Sequence, residues 1–353
     1  MKRIIILFLL VISNSTFAQG YNDFASEIFF GRLPSAKTEA MGRILTLNFD
    51  PYFISHSNPA NLVTTNGAAV FYAHSSPFYG YNDATYSYIG VSYNNPKIGA
   101  FAFNYLNFNS GSTVFIPALG VPFTNPFKEK RYLYTLTYAY KIIDWFSFGI
   151  NANLFVDDFG TDKTFSDTFF ELGLSRDFIL IQDSEIKDEL TTGTQLKNIF
   201  NQSFSAIDEA QSDPFPVIFR IGISNLFEYT DKDFYRSSYL FGFTLGIEYQ
   251  DLLNADFRTA YKIGGELSLL DIIFLRGGFY HETRGECGNC RGKVEDVTYG
   301  FGVKLDFNKH FTTGFPLIIL FDFVNLEQPS HLSDFSNWDN FTTLNLIANY
   351  SID

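Results

Sequence analysis

Residues 259–279, with the sequence TAYKIGGELSLLDIIFLRGGF, alternate between two kinds of side chain. From 259 to 269 the odd positions hold Thr, Tyr, Ile, Gly, Leu and Leu, whereas the even positions hold Ala, Lys, Gly, Glu and Ser. A period of two is that of a β-strand whose faces meet different surroundings. After a tight turn at Leu270 and Asp271 a second alternating segment follows, and a three-residue turn would place Glu266 opposite Arg276. One charged face and one apolar face predict a hairpin of a membrane barrel, with lipid outside and a polar lumen inside.

Thirteen segments of the chain alternate in this way, which predicts an all-β protein. They are 67–75, 84–94, 98–107, 132–142, 145–156, 168–176, 217–227, 239–249, 259–269, 273–279, 297–307, 316–326 and 342–350. Bacterial single-chain barrels have an even number of strands, with both chain ends in the periplasm. Strand directions counted from the two ends disagree between residues 176 and 217. We therefore predict a fourteenth, poorly patterned strand within 178–214. The rest of that insert, acidic at 183–189 and 208–213, is expected to be helical or mobile.

The lengths of the connections predict how the barrel is oriented. The long segments 109–129, 281–295 and 327–340 are expected to be outer loops. The short connections at 143–144 and 270–271 are expected to be periplasmic turns. The predicted fold is a transmembrane, antiparallel, up-and-down β-barrel of fourteen strands.

Residues 1–18 have the features of a secretory signal peptide. Lys2 and Arg3 precede an apolar run at 4–12, and the small residues Thr16 and Ala18 suit signal peptidase. The run is too short to span a bilayer, and an uncleaved anchor is the alternative. We expect cleavage and export to the bacterial outer membrane.

Composition narrows the classes of partner. Without Lys2 and Arg3 the chain has 23 basic and 38 acidic residues, a formal charge of −15. Phosphate binding needs a basic surface, so nucleic acid is not an expected partner. After residue 18 no apolar stretch approaches the ~18 residues of a transmembrane helix, so insertion requires a closed sheet. Mean hydropathy is zero, which fits strands whose lumen residues dilute the apolar signal.

The segment 21–63 does not alternate cleanly. It contains Gly31, Gly42, Pro51 and Pro59, and we expect turns with one short helix near 37–43. The alternating pattern begins only at residue 67. We therefore divide the chain into residues 1–18, 19–66 and a barrel at 67–353 that includes the insert 178–214.

Several short motifs of the chain are similar to those of a known family. Ala-Met-Gly at 40–42 and Ser-Asn-Pro-Ala-Asn-Leu at 57–62 resemble the elements that precede the first strand in the PorV/PorQ branch of the FadL-like (FadL/TodX superfamily) outer-membrane proteins. Later matches are Asp-Pro-Phe-Pro at 213–216, Phe-Arg-Ile-Gly at 219–222, Gly-Gly-Glu at 264–266, Leu-Arg-Gly-Gly-Phe at 275–279 and Tyr-Gly-Phe-Gly-Val-Lys at 299–304. The resemblance extends over nearly the whole chain after residue 18.

This resemblance implies a fourteen-stranded barrel whose N-terminal segment, 19–66, folds into the lumen as a plug. Proline and glycine suit such a segment because they prevent it from adding a strand. The expected plug motif is Asn58, Pro59, Ala60 and Asn61, with the two asparagines hydrogen-bonded to lumen charges. In transport members such plugs gate hydrophobic small molecules, whereas PorV-like members serve type IX secretion as a shuttle or partner of the translocon.

Five charged residues are expected to point into the lumen because they lie on the polar faces of predicted strands. They are Arg220, Lys262, Glu266, Arg276 and Lys304. Each has either a functional role or a structural one, in which an ion network keeps the interior hydrated and the plug in place.

Cys287 and Cys290 form a CxxC pair in the outer loop 281–295. In an exported protein a small disulfide is expected, with free thiols or a metal site as alternatives. The five histidines show no metal-binding or catalytic spacing, and the chain contains neither a nucleophile elbow nor a P-loop. We therefore expect no catalytic residue, no metal, no cofactor and no enzymatic activity.

Three functions compete. The first is plug-gated passage or binding of hydrophobic or small amphipathic compounds, with outer-membrane lipid around the barrel. The second is an accessory of type IX secretion that binds translocon proteins through its outer loops. The third is a soluble β-sandwich or adhesin, which the many outward Tyr and Phe residues disfavour.

Overall fold

The computed structural model describes residues 33–76, 85–109, 130–158, 164–201, 203–205, 212–231, 239–253, 259–283, 293–307, 317–329 and 338–350. A short helix, α1 (Ala36–Ala40), and a 3-10 helix (Pro59–Thr64) precede sixteen strands. The strands are β1 (Gly67–Ser76), β2 (Thr85–Asn95), β3 (Gly99–Asn109), β4 (Lys130–Ile143), β5 (Phe146–Asp158), β6 (Thr164–Gln182), β7 (Ile186–Lys197), β8 (Ser203–Ser205), β9 (Ser212–Pro214), β10 (Ile218–Tyr229), β11 (Phe241–Leu252), β12 (Thr259–Leu269), β13 (Ile273–Thr283), β14 (Lys293–Asp306), β15 (Leu317–Pro329) and β16 (Trp338–Tyr350).

In the described part of the chain, fourteen strands form one closed antiparallel barrel, as the sequence predicts. Each strand pairs with its neighbour in the chain, except that β7 pairs directly with β10. β16 closes the barrel on β1, with Ala68 opposite Tyr350. The two-stranded sheet β8–β9 lies outside the barrel sheet.

The fourteenth strand lies where the strand count requires it, because β7 occupies 186–197 within the insert 178–214. The expectation of a helical or mobile insert at 183–189 is wrong. These residues form the turn between β6 and β7 and the first part of β7. Asp183 accepts the backbone N–H groups of Glu185 (2.8 Å) and Ile186 (2.7 Å), and such a capped turn favours a hairpin over a helix. Of 208–213, only Ser212 and Asp213 are described, in β9.

The strand register confirms the pairing expected for the hairpin of residues 259–279. Glu266 lies opposite Arg276 across β12 and β13. Leu270 and Asp271 in the turn have positive φ angles of 57° and 54°, which is typical of a tight hairpin connection.

Four of the six connections at one end of the barrel, here called the short-turn end, are turns of two or three residues, and the other two, 230–240 and 307–316, are longer. This end carries the turns 96–98, 144–145, 183–185 and 270–272, together with the start of β1 and the end of β16. At the opposite end the chain crosses between strands through longer segments such as 110–129, 198–217 and 284–292. Outer-membrane barrels have short periplasmic turns and longer outer loops, and the prediction that the turns 143–144 and 270–271 face the periplasm stays a prediction.

The outer surface of the barrel is apolar. Leu136 is 60% exposed, Ile89 48% and Val297 66%, although each lies in the middle of a strand. On β4 these outward positions alternate with buried Thr135 and Thr137. A continuous apolar exterior around a closed sheet is the arrangement that hydrocarbon requires, and the chain is an outer-membrane β-barrel.

Residues 33–66 lie inside the barrel and are called the plug here. Ser35 caps α1 by accepting the Thr38 N–H at 3.0 Å, and Asn58 caps the 3-10 helix by accepting the Ala60 N–H at 3.0 Å. No helix in the described ranges is long and apolar enough to cross a membrane.

Candidate functional site

The plug rests on a belt of inward-facing glycines. Eight strands that are consecutive around the barrel each contribute one glycine: Gly149, Gly173, Gly193, Gly222, Gly246, Gly264, Gly278 and Gly300. A Cβ atom at any of them would lie closer than 3.0 Å to an atom of the plug. Glycine suits these positions because the plug packs directly on the strand backbone, with its own backbone at Gly149, Gly193, Gly264 and Gly278 and with side chains at the other four.

The closest approach of the plug backbone to this belt is at β12 and β13. A Cβ on Gly264 would overlap the carbonyl oxygen of Met41, and a Cβ on Gly278 would overlap the backbone nitrogen of Gly42. Gly277, the neighbour of Gly278 in the chain, has only one atom within 4 Å of its Cβ position, the Thr298 carbonyl oxygen at 3.9 Å. The contact is therefore specific to the lumen face of these strands.

Glu248 on β11 is the main polar anchor of the plug. One carboxylate oxygen accepts the backbone N–H groups of Leu45 and Thr46, both at 2.7 Å, and the Thr46 hydroxyl at 2.8 Å. The other oxygen accepts Lys262 Nζ at 2.7 Å. Hydrogen bonds to an ionised acceptor are stronger than neutral ones, so this buried carboxylate ties the plug to the barrel wall.

Other strands hold the plug backbone through neutral side chains. The Thr298 hydroxyl accepts the Gly42 N–H at 2.9 Å and donates to the Ala40 carbonyl at 3.0 Å. Gln195 Nε2 donates to the Ser57 carbonyl at 3.1 Å, and Asn151 Nδ2 to the Ile54 carbonyl at 3.0 Å. The irregular backbone of the plug is thus satisfied inside the barrel, where a buried polar group without a partner costs free energy.

The plug motif contacts backbone groups rather than charges. Asn58 Nδ2 donates to the carbonyls of Thr46 (3.0 Å) and Leu174 (2.8 Å), and Asn61 Nδ2 donates to that of Thr46 (3.2 Å). The expected bonds from these asparagines to lumen charges are therefore corrected. The plug segment between Thr46 and the 3-10 helix has no neighbouring strand to donate hydrogen bonds to its carbonyls. The two side-chain amides supply such bonds instead and hold this segment in place. Pro59 and Ala60 pack against Gly149.

Four of the five lumen charges are buried on inward positions, and all five have polar partners. Arg220 Nη1 contacts Gln195 (2.8 Å) and the His56 carbonyl (3.4 Å), and its Nε contacts Gln250 (2.8 Å). Arg276 lies between Glu266 (2.6 Å) and Asp322 (2.5 Å). The ion pair of Lys262 is the one to Glu248 described above. Lys304 is less buried and pairs with Asp271 at 2.8 Å, next to the β12–β13 turn.

An inward aromatic cluster was missed by sequence reasoning. Its large members are Phe53, Phe71, Tyr86, Tyr88, Leu106, Phe108, Leu133, Phe155, Phe169 and Phe215. Most lie in the halves of β1 to β6 nearest the long loops, and Phe53 belongs to the plug. The ring centroids of Phe169 and Phe215 are 4.8 Å apart, and those of Phe53 and Tyr88 are 5.0 Å apart. These side chains form an apolar region inside the barrel, in addition to the apolar outer surface.

A cavity of about 620 Å³, here called the vestibule, lies on the other side of the plug. Plug residues Lys37 and 48–52 form one wall, and side chains of β7 and of β10 to β16 form most of the rest. Asp271 of the β12–β13 turn is among its lining residues, which places the vestibule at the short-turn end. The plug therefore lies between an aromatic region towards the longer loops and a polar space at the short-turn end.

Two predicted features are not resolved by this geometry. Cys287 and Cys290 lie outside the described residues, as do residues 1–18, so the disulfide and the signal peptide stay predictions. Within the described ranges, no group of three or more His, Cys, Asp or Glu residues is placed to hold a metal ion.

Comparison with known proteins finds similar folds among solved structures. The Ralstonia pickettii toluene transporter TbuX matches with a TM-score of 0.48 and 11% identity, over 91% of this chain and 98% of that chain. The Pseudomonas putida toluene transporter TodX has a TM-score of 0.46 and 10% identity, over 91% and 98%. A Pseudomonas aeruginosa FadL homologue has a TM-score of 0.43 and 10% identity, over 91% and 99%. No family model and no curated protein matches the sequence.

Proposed function

We propose that the barrel takes up hydrophobic or small amphipathic compounds from the outside and that the plug gates their passage. The observation that carries this proposal is the aromatic cluster on the loop side of the plug. The lumen of a membrane barrel is normally polar. An inward apolar region therefore provides a favourable environment for an apolar solute that would otherwise cross a hydrated lumen.

The composition of the cluster suits small apolar ligands with rings or short chains. Phe155 and Phe169 both pack on Phe215, with ring centroids 5.6 and 4.8 Å apart. Aromatic side chains offer large apolar contact area with few torsions to order, and ring pairs gain about 0.5–1.5 kcal/mol beyond their burial. A small hydrocarbon that enters the cluster can pack against these rings in place of their contacts with one another.

Gating is proposed for the plug because it contacts both regions of the lumen. Phe53 belongs to the aromatic cluster, and residues 48–52 line the vestibule. Its anchors at Glu248, Thr298 and Gln195 are hydrogen bonds, which water can replace during a displacement. A shift of the plug would join the two regions. The proposal includes cleavage of residues 1–18 on export and residues 19–66 as the complete plug.

The test is uptake of radiolabelled toluene, chosen as a small hydrocarbon probe, by cells with the barrel in their outer membrane. Phe108→Ser places a hydroxyl in the cluster and should lower the initial uptake rate about tenfold, since it removes an apolar contact of ~1–3 kcal/mol. Phe103→Ser on the same strand is the matched control. Phe103 faces outward and is 47% exposed, so uptake should be unchanged. Uptake no faster than in cells without the barrel contradicts the proposal.

The secretion-accessory role stays a prediction. It depends on outer loops, and residues 110–129, 284–292 and 330–337 lie outside the described part of the chain. The resemblance to the PorV/PorQ branch in particular therefore has no structural observation to support it, whereas the aromatic cluster supports transport.

A further inference from the structure

The lining of the vestibule carries more negative than positive charge. Its described acidic residues are Asp50, Glu189, Glu228, Glu266, Asp271 and Asp322. Its described basic residues are Lys37, Lys187, Arg276 and Lys304. With all of these ionised, the lining has a net charge of −2.

Every one of the four cations is held by a carboxylate of the same cavity. The ion pairs join Lys37 to Glu266 at 3.2 Å, Arg276 to Glu266 and Asp322 at 2.6 and 2.5 Å, Lys187 to Glu189 at 2.8 Å, and Lys304 to Asp271 at 2.8 Å. Their positive charges are largely compensated where they lie. The excess charge must therefore come from the two remaining carboxylates.

These two are Asp50, on the plug wall, and Glu228, near the end of β10. Asp50 accepts the hydroxyl of Ser35 at 2.5 Å and the N–H of Tyr52 at 3.3 Å, both neutral donors. Among the described residues, no lysine or arginine nitrogen lies within 4.0 Å of either carboxylate. The described lining of the vestibule thus contains two carboxylates, on different walls, without an ion-pair partner.

We propose that the vestibule is a cation-attracting compartment and that ions crossing the barrel are selected for positive charge there. The inference rests on the proposed passage, because it assigns the selectivity of that same path. Uncompensated carboxylates in a concave, low-dielectric site focus the field and raise the local concentration of cations. Carboxylate-lined pores exclude anions for the same reason.

The experiment measures reversal potentials in planar bilayers under a potassium chloride gradient. It uses the full chain and the variant Glu248→Gln, which loosens the plug but keeps every charge of the vestibule. The permeability ratio of K⁺ to Cl⁻ should be about 3 or more. Glu228→Gln should lower it towards 1, and Asp50→Asn should act in the same direction.

Asp144→Asn is the matched control. Asp144 is exposed on the β4–β5 turn at the same end of the barrel but does not line the vestibule, so the ratio should not change. Current without a preference for K⁺, or a preference that Glu228→Gln leaves intact, overturns the inference while the passage itself stands. If neither the full chain nor Glu248→Gln carries current, this inference is overturned, whereas the proposed passage is overturned only if toluene uptake also fails to exceed that of cells without the barrel.

Discussion

Thr46 of the plug donates both its backbone N–H, at 2.7 Å, and its hydroxyl, at 2.8 Å, to one carboxylate oxygen of Glu248 on β11. Leu45 donates a third hydrogen bond to the same atom. Glu248 is 3% exposed and Lys262 holds its other oxygen. A buried carboxylate that loses such donors keeps the cost of its burial, so the barrel wall itself favours the seated plug.

We expect Glu248→Gln to loosen the plug. The amide keeps one acceptor oxygen but loses the charge that strengthens three hydrogen bonds, and Lys262 loses its counter-charge. The seated plug should be destabilised by about 2–4 kcal/mol. Hydrogen exchange at the amides of Leu45 and Thr46 measures this, with exchange in the variant faster than in the parent.

The control for that substitution is Glu295→Gln. Glu295 is an exposed residue near the loop end of β14 and pairs with His281 at 2.7 Å, far from the plug. Exposed pairs contribute ~0–1 kcal/mol, so protection of the plug amides should not change. Equal protection in Glu248→Gln and in the parent chain contradicts the role assigned to Glu248.

The glycine belt gives a steric prediction. Gly264→Ala adds a methyl group where the Met41 carbonyl lies, and it should displace the plug at a cost of about 1–3 kcal/mol. Gly277→Ala adds the same group where the nearest atom is 3.9 Å away, and it should leave the plug seated. Limited proteolysis within residues 33–66 distinguishes the two. Cleavage at the same rate in both variants would show that the plug does not rest on the belt.

The ion network around Arg276 is expected to stabilise the barrel. Arg276→Met leaves Asp322 and Glu266 buried without the guanidinium between them, and Lys37 compensates only Glu266. Breaking a buried pair costs about 3–5 kcal/mol. Denaturant unfolding in detergent should show a loss of this size. Lys141→Met, at an exposed position near the end of β4, should change the free energy of unfolding by less than about 0.5 kcal/mol.

Stability of the seated plug should depend on pH through Asp50. Burial raises the pKa of this carboxyl from 3.8 to about 6, with Asp322 acting in the same direction and Ser35 and Lys37 opposing. A raised pKa favours the protonated, seated state, so its contribution is full below pH 3.8 and is lost as pH rises through about 6. The loss amounts to about 3 kcal/mol.

Hydrogen exchange of the plug amides between pH 4 and 7, corrected for intrinsic exchange rates, tests this dependence. Protection should fall with rising pH in the parent chain, and Asp50→Asn should remove most of the change. Protection that rises over the same interval would reverse the assigned sign.

Strand alternation was enough to predict the barrel and one of its contacts in detail. The period of two at 259–279 placed Glu266 opposite Arg276, and the structure has them in an ion pair at 2.6 Å. β7 was harder to predict because its outward positions include Thr192 and Thr194. The two faces of that strand therefore differ little in polarity, and only the even strand count indicated it.

The candidate site was predicted less completely, for a physical reason. Gly264 could mark a bend in its strand or a site where the plug packs, and only the segment that approaches it decides between these. The alternating pattern within β12 carries no information about the contact with Met41. The aromatic cluster did leave a signal. Asn151 and Asn153 face the lumen, and the same period places Phe155 there too. The aromatic cluster was missed because every apolar side chain of a strand was assumed to point to the lipid.

The most direct test of the whole account is single-channel conductance of the barrel without residues 21–63. Resistance of the deleted protein to unfolding by heat in detergent first establishes that the barrel has formed. Because the plug lies across the lumen and bonds to β7, β11 and β14, its removal should raise the conductance severalfold over the full chain. Unchanged conductance through a folded barrel would contradict the claim that this segment closes the path.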